Sequence, residues 1–214
     1  MQIAFNRSLD EVKEMVFLLP VSEKIIIEAG TPLVKRYGSK GISSLNRWWQ
    51  EKLGKPGYVV ADLKTMDRGL HEVETAANAG ASAATCLGLA PVETINEFVK
   101  NCAAQKIDSM VDMMNIPFPF EILQKLKKLP DIVVLHRGVD EQLRNREKML
   151  PLDQITRIKG TYGNVFISVA GGETIREVTS TLFNGADIAV AWRSFYEKPQ
   201  DTAALARDFI KLIK

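Results

Sequence analysis

Little of this chain is cysteine or histidine: Cys86 and Cys102, His71 and His136 are all it has. Two cysteines in or beside apolar stretches make neither a metal-type cluster nor a disulfide framework, and they suit a reduced, cytoplasmic interior. No apolar run approaches the ~20 residues that cross a bilayer. The opening Met1-Gln2-Ile3-Ala4-Phe5 reads as a strand, with no cationic leader ahead of an apolar signal core. An excess of one charge is missing too: 28 basic and 26 acidic residues leave a net +2. Without a basic stripe, the chain has no evident use for nucleic acid or an anionic membrane. Linkers and low-complexity segments are also absent, so the 214 residues read as one domain, 1–214. At 46% hydrophobic, that length buries a core without disulfide or metal.

What is there is an alternation. Short, nearly all-apolar runs fall at 2–6, 24–28, 58–62, 83–87, 109–113, 131–135, 165–169 and 188–191. Runs of that kind suit strands buried on both faces, as in a parallel sheet. Between them, 9–19, 67–78, 91–104, 119–128, 152–160, 174–184 and 202–213 carry helical apolar spacing. Eight such units predict an α/β fold, a single (β/α)8 TIM barrel; an open doubly wound sheet is the runner-up. The charged stretch 137–151 reads as an irregular, mobile loop over the site.

Barrel enzymes work at the C-terminal ends of their strands. Those ends carry Asn6, Glu28, Asp62 with Lys64 and Asp67, Asp112, His136 with Arg137, Gly171-Gly172, and Trp192-Arg193. Asp62 and Lys64 are two apart on a strand and point the same way. They form either an active-site pair or a structural ion pair. Asp67 suits the N-cap of the third helix. Glu28, which a strand end alone would leave in solvent, could join Asp62 as a hard oxygen ligand for Mg²⁺. His136 suits a general acid or base, or a packed histidine. Gly171-Gly172 is either a plain turn or an anion site at a helix start, with Arg193 completing a phosphate corner. Trp48-Trp49 reads as packing.

The run Asp62-Leu63-Lys64-Thr65-Met66-Asp67 fits the Asp-x-Lys-x-x-Asp signature of the orotidine 5′-monophosphate decarboxylase suprafamily. Within it, that run, Ile27 to Leu33, Met110 to Pro117 and Val169 to Gly172 resemble 3-hexulose-6-phosphate synthase, in order along nearly the whole chain. The resemblance implies a lyase that condenses formaldehyde with D-ribulose 5-phosphate through a cis-enediolate; a sister branch decarboxylates 3-keto-L-gulonate 6-phosphate. It implies Mg²⁺, or Mn²⁺ in its place, on Glu28 and Asp62. Lys64 would stabilise the enediolate and His136 would move protons. It implies a small phosphorylated sugar as substrate. It also implies a homodimer with shared active sites, Asp67 reaching the neighbouring subunit's site. Asn6, Asp112, Arg137, Gly171, Gly172 and Arg193 are the expected substrate and phosphate contacts.

Three positions depart from the family pattern: Asn6 where Asp is usual, Trp192 where Gly is usual, and Arg137, which resembles the decarboxylase branch. They bear on the phosphate site and the substrate. Trp192 turned into the corner would favour a different ligand or a barrel that has lost catalysis; Arg193 there would favour the phosphate.

Overall fold

The computed structural model describes residues 1–145, 147–172, 174–197 and 199–213. In its first half run β1 (Gln2–Phe5), α1 (Leu9–Leu18), β2 (Ile26–Ala29), α2 (Thr31–Tyr37), α3 (Ser39–Leu53), β3 (Val59–Thr65), α4 (Gly69–Asn78), β4 (Ala83–Leu87) and α5 (Val92–Gln105). There follow β5 (Asp108–Asp112), α6 (Pro119–Leu123), β6 (Ile132–His136), α7 (Val139–Arg144), α8 (Asp153–Thr161), β7 (Phe166–Ala170), α9 (Ile175–Phe183), β8 (Ile188–Ala191), α10 (Arg193–Glu197) and α11 (Thr202–Leu212). The strands pair in chain order, all parallel, and β1 closes on β8. The fold is a single (β/α)8 barrel, and the open sheet is set aside.

The strand sequences produce this closure. Their alternate residues face inward. Ala4, Val60, Ala83, Met110, Ile132, Val134, Ala170 and Val190 fill the barrel interior. The other faces pack on the helices, where the chain's largest core lies. Helix starts are written locally: Ser8 and Glu11 form a capping box on α1, and Thr174 and Glu177 form one on α9. Trp49 of α3 is fully buried in the outer layer and Trp48 nearly so, which makes both packing residues.

Between β2 and β3 lie two helices, α2 and α3, which meet at Gly38, whose φ of 58° glycine adopts without steric penalty. Three expectations change. α6 stops at Leu123, where bonds three residues back tighten the chain ahead of Pro130. Asp67 is not the cap of α4. Arg68 takes that position in a left-handed conformation, and the Asp67 carboxylate accepts the Arg68 N–H at 2.8 Å. The stretch 137–151 lies over the site but is irregular only in part. It contains α7 and is tied down where Arg137 Nη1 donates to the Lys148 carbonyl at 3.3 Å; position 146 lies outside the described residues. Among the described residues no helix is long and apolar enough to cross a membrane.

Trp49→Ala should destabilise the barrel by roughly 3–5 kcal/mol, the cost of emptying a buried aromatic site. Urea unfolding measures it, and a loss under 1 kcal/mol would remove Trp49 from the core.

Candidate active site

A cavity of about 410 Å³ opens at the C-terminal ends of the strands. Its floor is the apolar barrel interior, with Ala4, Met110, Val134, Ala170 and Val190. Above it, at the strand ends, the lining is ionic, with Glu28, Asp62, Lys64, Asp112 and His136. β2, β3, β5 and β6 each end in at least one of these groups. The packed interior beneath them and their own burial lower the local dielectric, so their charges interact more strongly than in water.

Lys64 is the hub. Its Nζ donates to Asp62 Oδ1 and to Asp112 Oδ2, each at 3.1 Å. Strand alternation does bring Asp62 and Lys64 to one site, but β3 is irregular there. Its register against β4 shifts between Ala61 and Thr65, and Lys64 has a φ of 47°. A long side chain in the left-handed region is costly to hold. Here Thr85 Oγ1 fixes it by accepting the Lys64 N–H at 3.0 Å. The same hydroxyl donates to Asp62 Oδ1 at 2.7 Å, and Thr31 gives Asp62 Oδ2 both its hydroxyl (2.7 Å) and its N–H (3.3 Å). Burial would lower the Lys64 ammonium pKa, but Asp62, Asp112 and Glu28 together hold it above its ordinary value.

Asp112 joins Lys64 to His136, accepting from His136 Nδ1 at 2.7 Å and from the Met114 N–H at 2.9 Å. Burial would raise Asp112, but His136 and Lys64 outweigh it and lower its carboxyl to about 2. Burial would likewise lower His136, and the Asp112 charge and hydrogen bond leave it raised above 6.5. With Nδ1 on a carboxylate, Nε2 is left to exchange a proton. Glu28 is raised to about 7, first by burial and then by the nearby Asp62 charge. Three buried carboxyl groups thus face one ammonium and one imidazole, and Glu28 is the one whose charged form the site favours least.

Gly171, Arg137 and Trp192 line the cavity just past the ends of β7, β6 and β8. Gly171 has a φ of 99°, and a Cβ there would collide with the Arg137 carbonyl oxygen. Arg137 is buried, and its Nη2 donates to the Gly171 carbonyl at 2.6 Å and to Glu177 Oε1 at 2.9 Å. Trp192 lines the cavity, edge-on to Tyr196 at 6.2 Å, and the Arg193 guanidinium lies 5.5 Å from the indole centroid.

A model of the orotidine 5′-phosphate decarboxylase / HUMPS family matches residues 2–208. The chain belongs to this family. It is 38% identical over 216 residues to a bifunctional enzyme Fae/Hps of Methanothrix thermoacetophila, covering 100% of this chain and 52% of that protein. A bifunctional enzyme Fae/Hps of Methanocella arvoryzae is 37% identical, with 53% of it covered. The chain therefore spans about half the length of the curated relatives it matches. A crystal structure of 3-hexulose-6-phosphate synthase superposes with a TM-score of 0.81 at 32% identity, covering 100% of this chain and 99% of that one. A 3-keto-L-gulonate-6-phosphate decarboxylase structure from Vibrio cholerae shares the fold, with a TM-score of 0.77 at 23% identity over 100% of this chain and 98% of that one.

Within this family fold, the expected Asn6, Glu28, Asp62, Lys64, Asp112, His136, Arg137 and Gly171 all line one cavity. Gly172 and Arg193 are not among its lining residues, and Asp67 is exposed on the β3–α4 loop. Sequence reasoning missed Thr31 and Thr85, which anchor Asp62, and Gln2 and Gln142, which add amides to the lining. Gln2 was legible as a polar residue on the same strand face as Asn6; nothing local marked Gln142.

Asp112→Asn should drop the His136 pKa below its ordinary value, because burial then acts with little opposition; NMR titration of His136 reads it. The linked stability has a definite sign. With His136 raised, its contribution is complete below 6.5 and fades as pH climbs through the folded value. With Asp112 lowered, its contribution holds above 3.8 and is lost as pH falls towards about 2. A His136 pKa unmoved in the variant would break the proposed coupling.

Proposed function

We propose that this chain is a cytoplasmic, Mg²⁺-dependent carbon–carbon lyase that condenses formaldehyde with D-ribulose 5-phosphate, reversibly, as 3-hexulose-6-phosphate synthases do. The observation that carries it is Lys64, held between Asp62 and Asp112 at the rim of a barrel of this family, with His136 on the same carboxylate. The 32% identity to a hexulose-phosphate synthase structure over its whole length supports the choice within the family.

The residues divide the work. His136 takes the proton from the ketose carbon beside the carbonyl, leaving an enediolate. The Lys64 ammonium faces the developing oxyanion and stabilises it without reorganising, since Asp62 and Asp112 already fix its position. The enediolate carbon attacks formaldehyde, and His136 returns the proton to the oxygen that formaldehyde brings. Glu28 and Asp62 fit a divalent cation: their donors are hard oxygens, and burial and the Asp62 charge, which raise Glu28 to about 7, are what a bound cation would offset. Among the described residues no group of three or more His, Cys, Asp or Glu is placed to cage a metal, so the cation would keep water or substrate oxygens in its shell. When bound, Mg²⁺ supplies Lewis-acid polarisation of the substrate oxygens.

A second reading concerns the far end of the substrate. Among the described lining residues every cation is already engaged: Lys64 and His136 by aspartates, Arg137 by Glu177. Trp192 walls the corner where the phosphate would lie. That favours enediolate chemistry on a sugar whose phosphate sits at the rim or is absent.

The family resemblance also supports a homodimer. Met66, Leu70, Leu89 and Phe118 are exposed on or just after the loops that leave β3, β4 and β5, and Asp67 lies among them in sequence. An exposed apolar surface of this kind suits a subunit contact.

Three experiments bear on this. Purified protein should consume formaldehyde with D-ribulose 5-phosphate in Mg²⁺, lose that activity in chelator, and lose it in Asp62→Asn; metal-independent turnover would sink the mechanism. Trp192→Gly should raise kcat/KM for ribulose 5-phosphate several-fold more than for ribulose. If ribulose is the better substrate of the unaltered protein, the phosphate-free reading replaces the first. Co-assembled Asp67→Asn and Lys64→Ala subunits should recover about a quarter of full activity, since half the dimers then hold one intact site of two. No recovery would mean the sites are not shared.

A further inference from the structure

β1 points Gln2, Ala4 and Asn6 to one face, and all three line the cavity. Gln2 sits deepest, 3% exposed, on a strand paired with Ile26 and Val190, among apolar interior residues. A carboxamide in such surroundings needs partners at both ends. Its nitrogen has one, donating to Glu28 Oε2 at 2.6 Å. Its oxygen, Oε1, is fully buried with no donor among the described residues.

Glu28 has the complementary deficit. Whereas Asp62 accepts four hydrogen bonds, Glu28 accepts a side-chain hydrogen bond from Gln2 alone among the described residues. Gln2 thus fixes one Glu28 oxygen, and the other receives no side-chain hydrogen bond among the described residues while its carboxylate lines the cavity. A carboxylate oxygen left free in this way is poorly placed for an apolar ligand and well placed for a cation.

We propose that Gln2 is a positioning residue for a divalent cation at this rim: its amide N–H grips Glu28 Oε2, leaving Oε1 for the cation. This rests on the cation reading above. Groups that orient metal ligands in this way typically change affinity by about 10- to 100-fold when removed.

The test is Mn²⁺ binding, followed by the loss of the free-ion EPR signal, for the unaltered chain, Gln2→Met and Gln2→Asn. Methionine keeps the length without the amide, and asparagine keeps the amide one methylene short of Glu28. Unfolding in chelator is followed alongside. The expected result is about 10- to 100-fold weaker Mn²⁺ binding in both variants, each folded without metal. Equal affinity in all three would overturn the role of Gln2 and leave the cation reading intact. No Mn²⁺ binding by the unaltered chain would overturn both. Two variants that fail to fold would make Gln2 a pillar of the barrel and overturn the positioning role.

Discussion

The Lys64 ammonium, held between two buried aspartates, is the interaction on which the site depends. Asp62 and Asp112 come from β3 and β5, strands with β4 between them, and only a curved, closed sheet brings their ends to one cation. Removing Lys64 would leave the buried Asp62 without a cation and Asp112 with His136 alone, so the same contact that arms the site also makes it tolerable to fold. The strained backbone at Lys64 belongs with this. Thr85 bonds both the Lys64 N–H and Asp62, so a single hydroxyl stabilises the left-handed turn and the carboxylate it serves.

The site has two unlike layers. The upper one, at the strand ends, gathers three carboxylates around Lys64 and His136. The layer beneath is apolar, and the buried guanidinium of Arg137 beside the cavity braces the protein. Arg137 ties the end of β7 to Glu177 of α9 and to the segment before α8. A side chain expected to meet the substrate thus shapes the corner the substrate must enter, and Trp192 narrows that corner further.

Much of this was legible in advance. Strands buried on both faces of a parallel barrel are short apolar runs, so all eight stood out, with β4 and β8 matching to the residue. Strand-end polar residues converge in any barrel, which is why most of the expected site lines one cavity. Breaks set by a single backbone conformation were less legible: Gly38 between two helices, Arg68 in place of an Asp67 cap, and α7 inside a charged stretch.

By itself, then, the sequence determined the barrel and the rim, because hydrophobic periodicity and chain order specify which residues face inward and at which end. It also carried the family, in the spacing of Asp62, Lys64 and Asp67. Only the tertiary structure decided the partners: Thr31 and Thr85 on Asp62, Arg137 on Glu177, Trp192 rather than Arg193 at the cavity wall, and Gln2 on Glu28. These contacts join residues distant in sequence, and their geometry depends on how the strands stagger around the closed barrel, which no local pattern encodes.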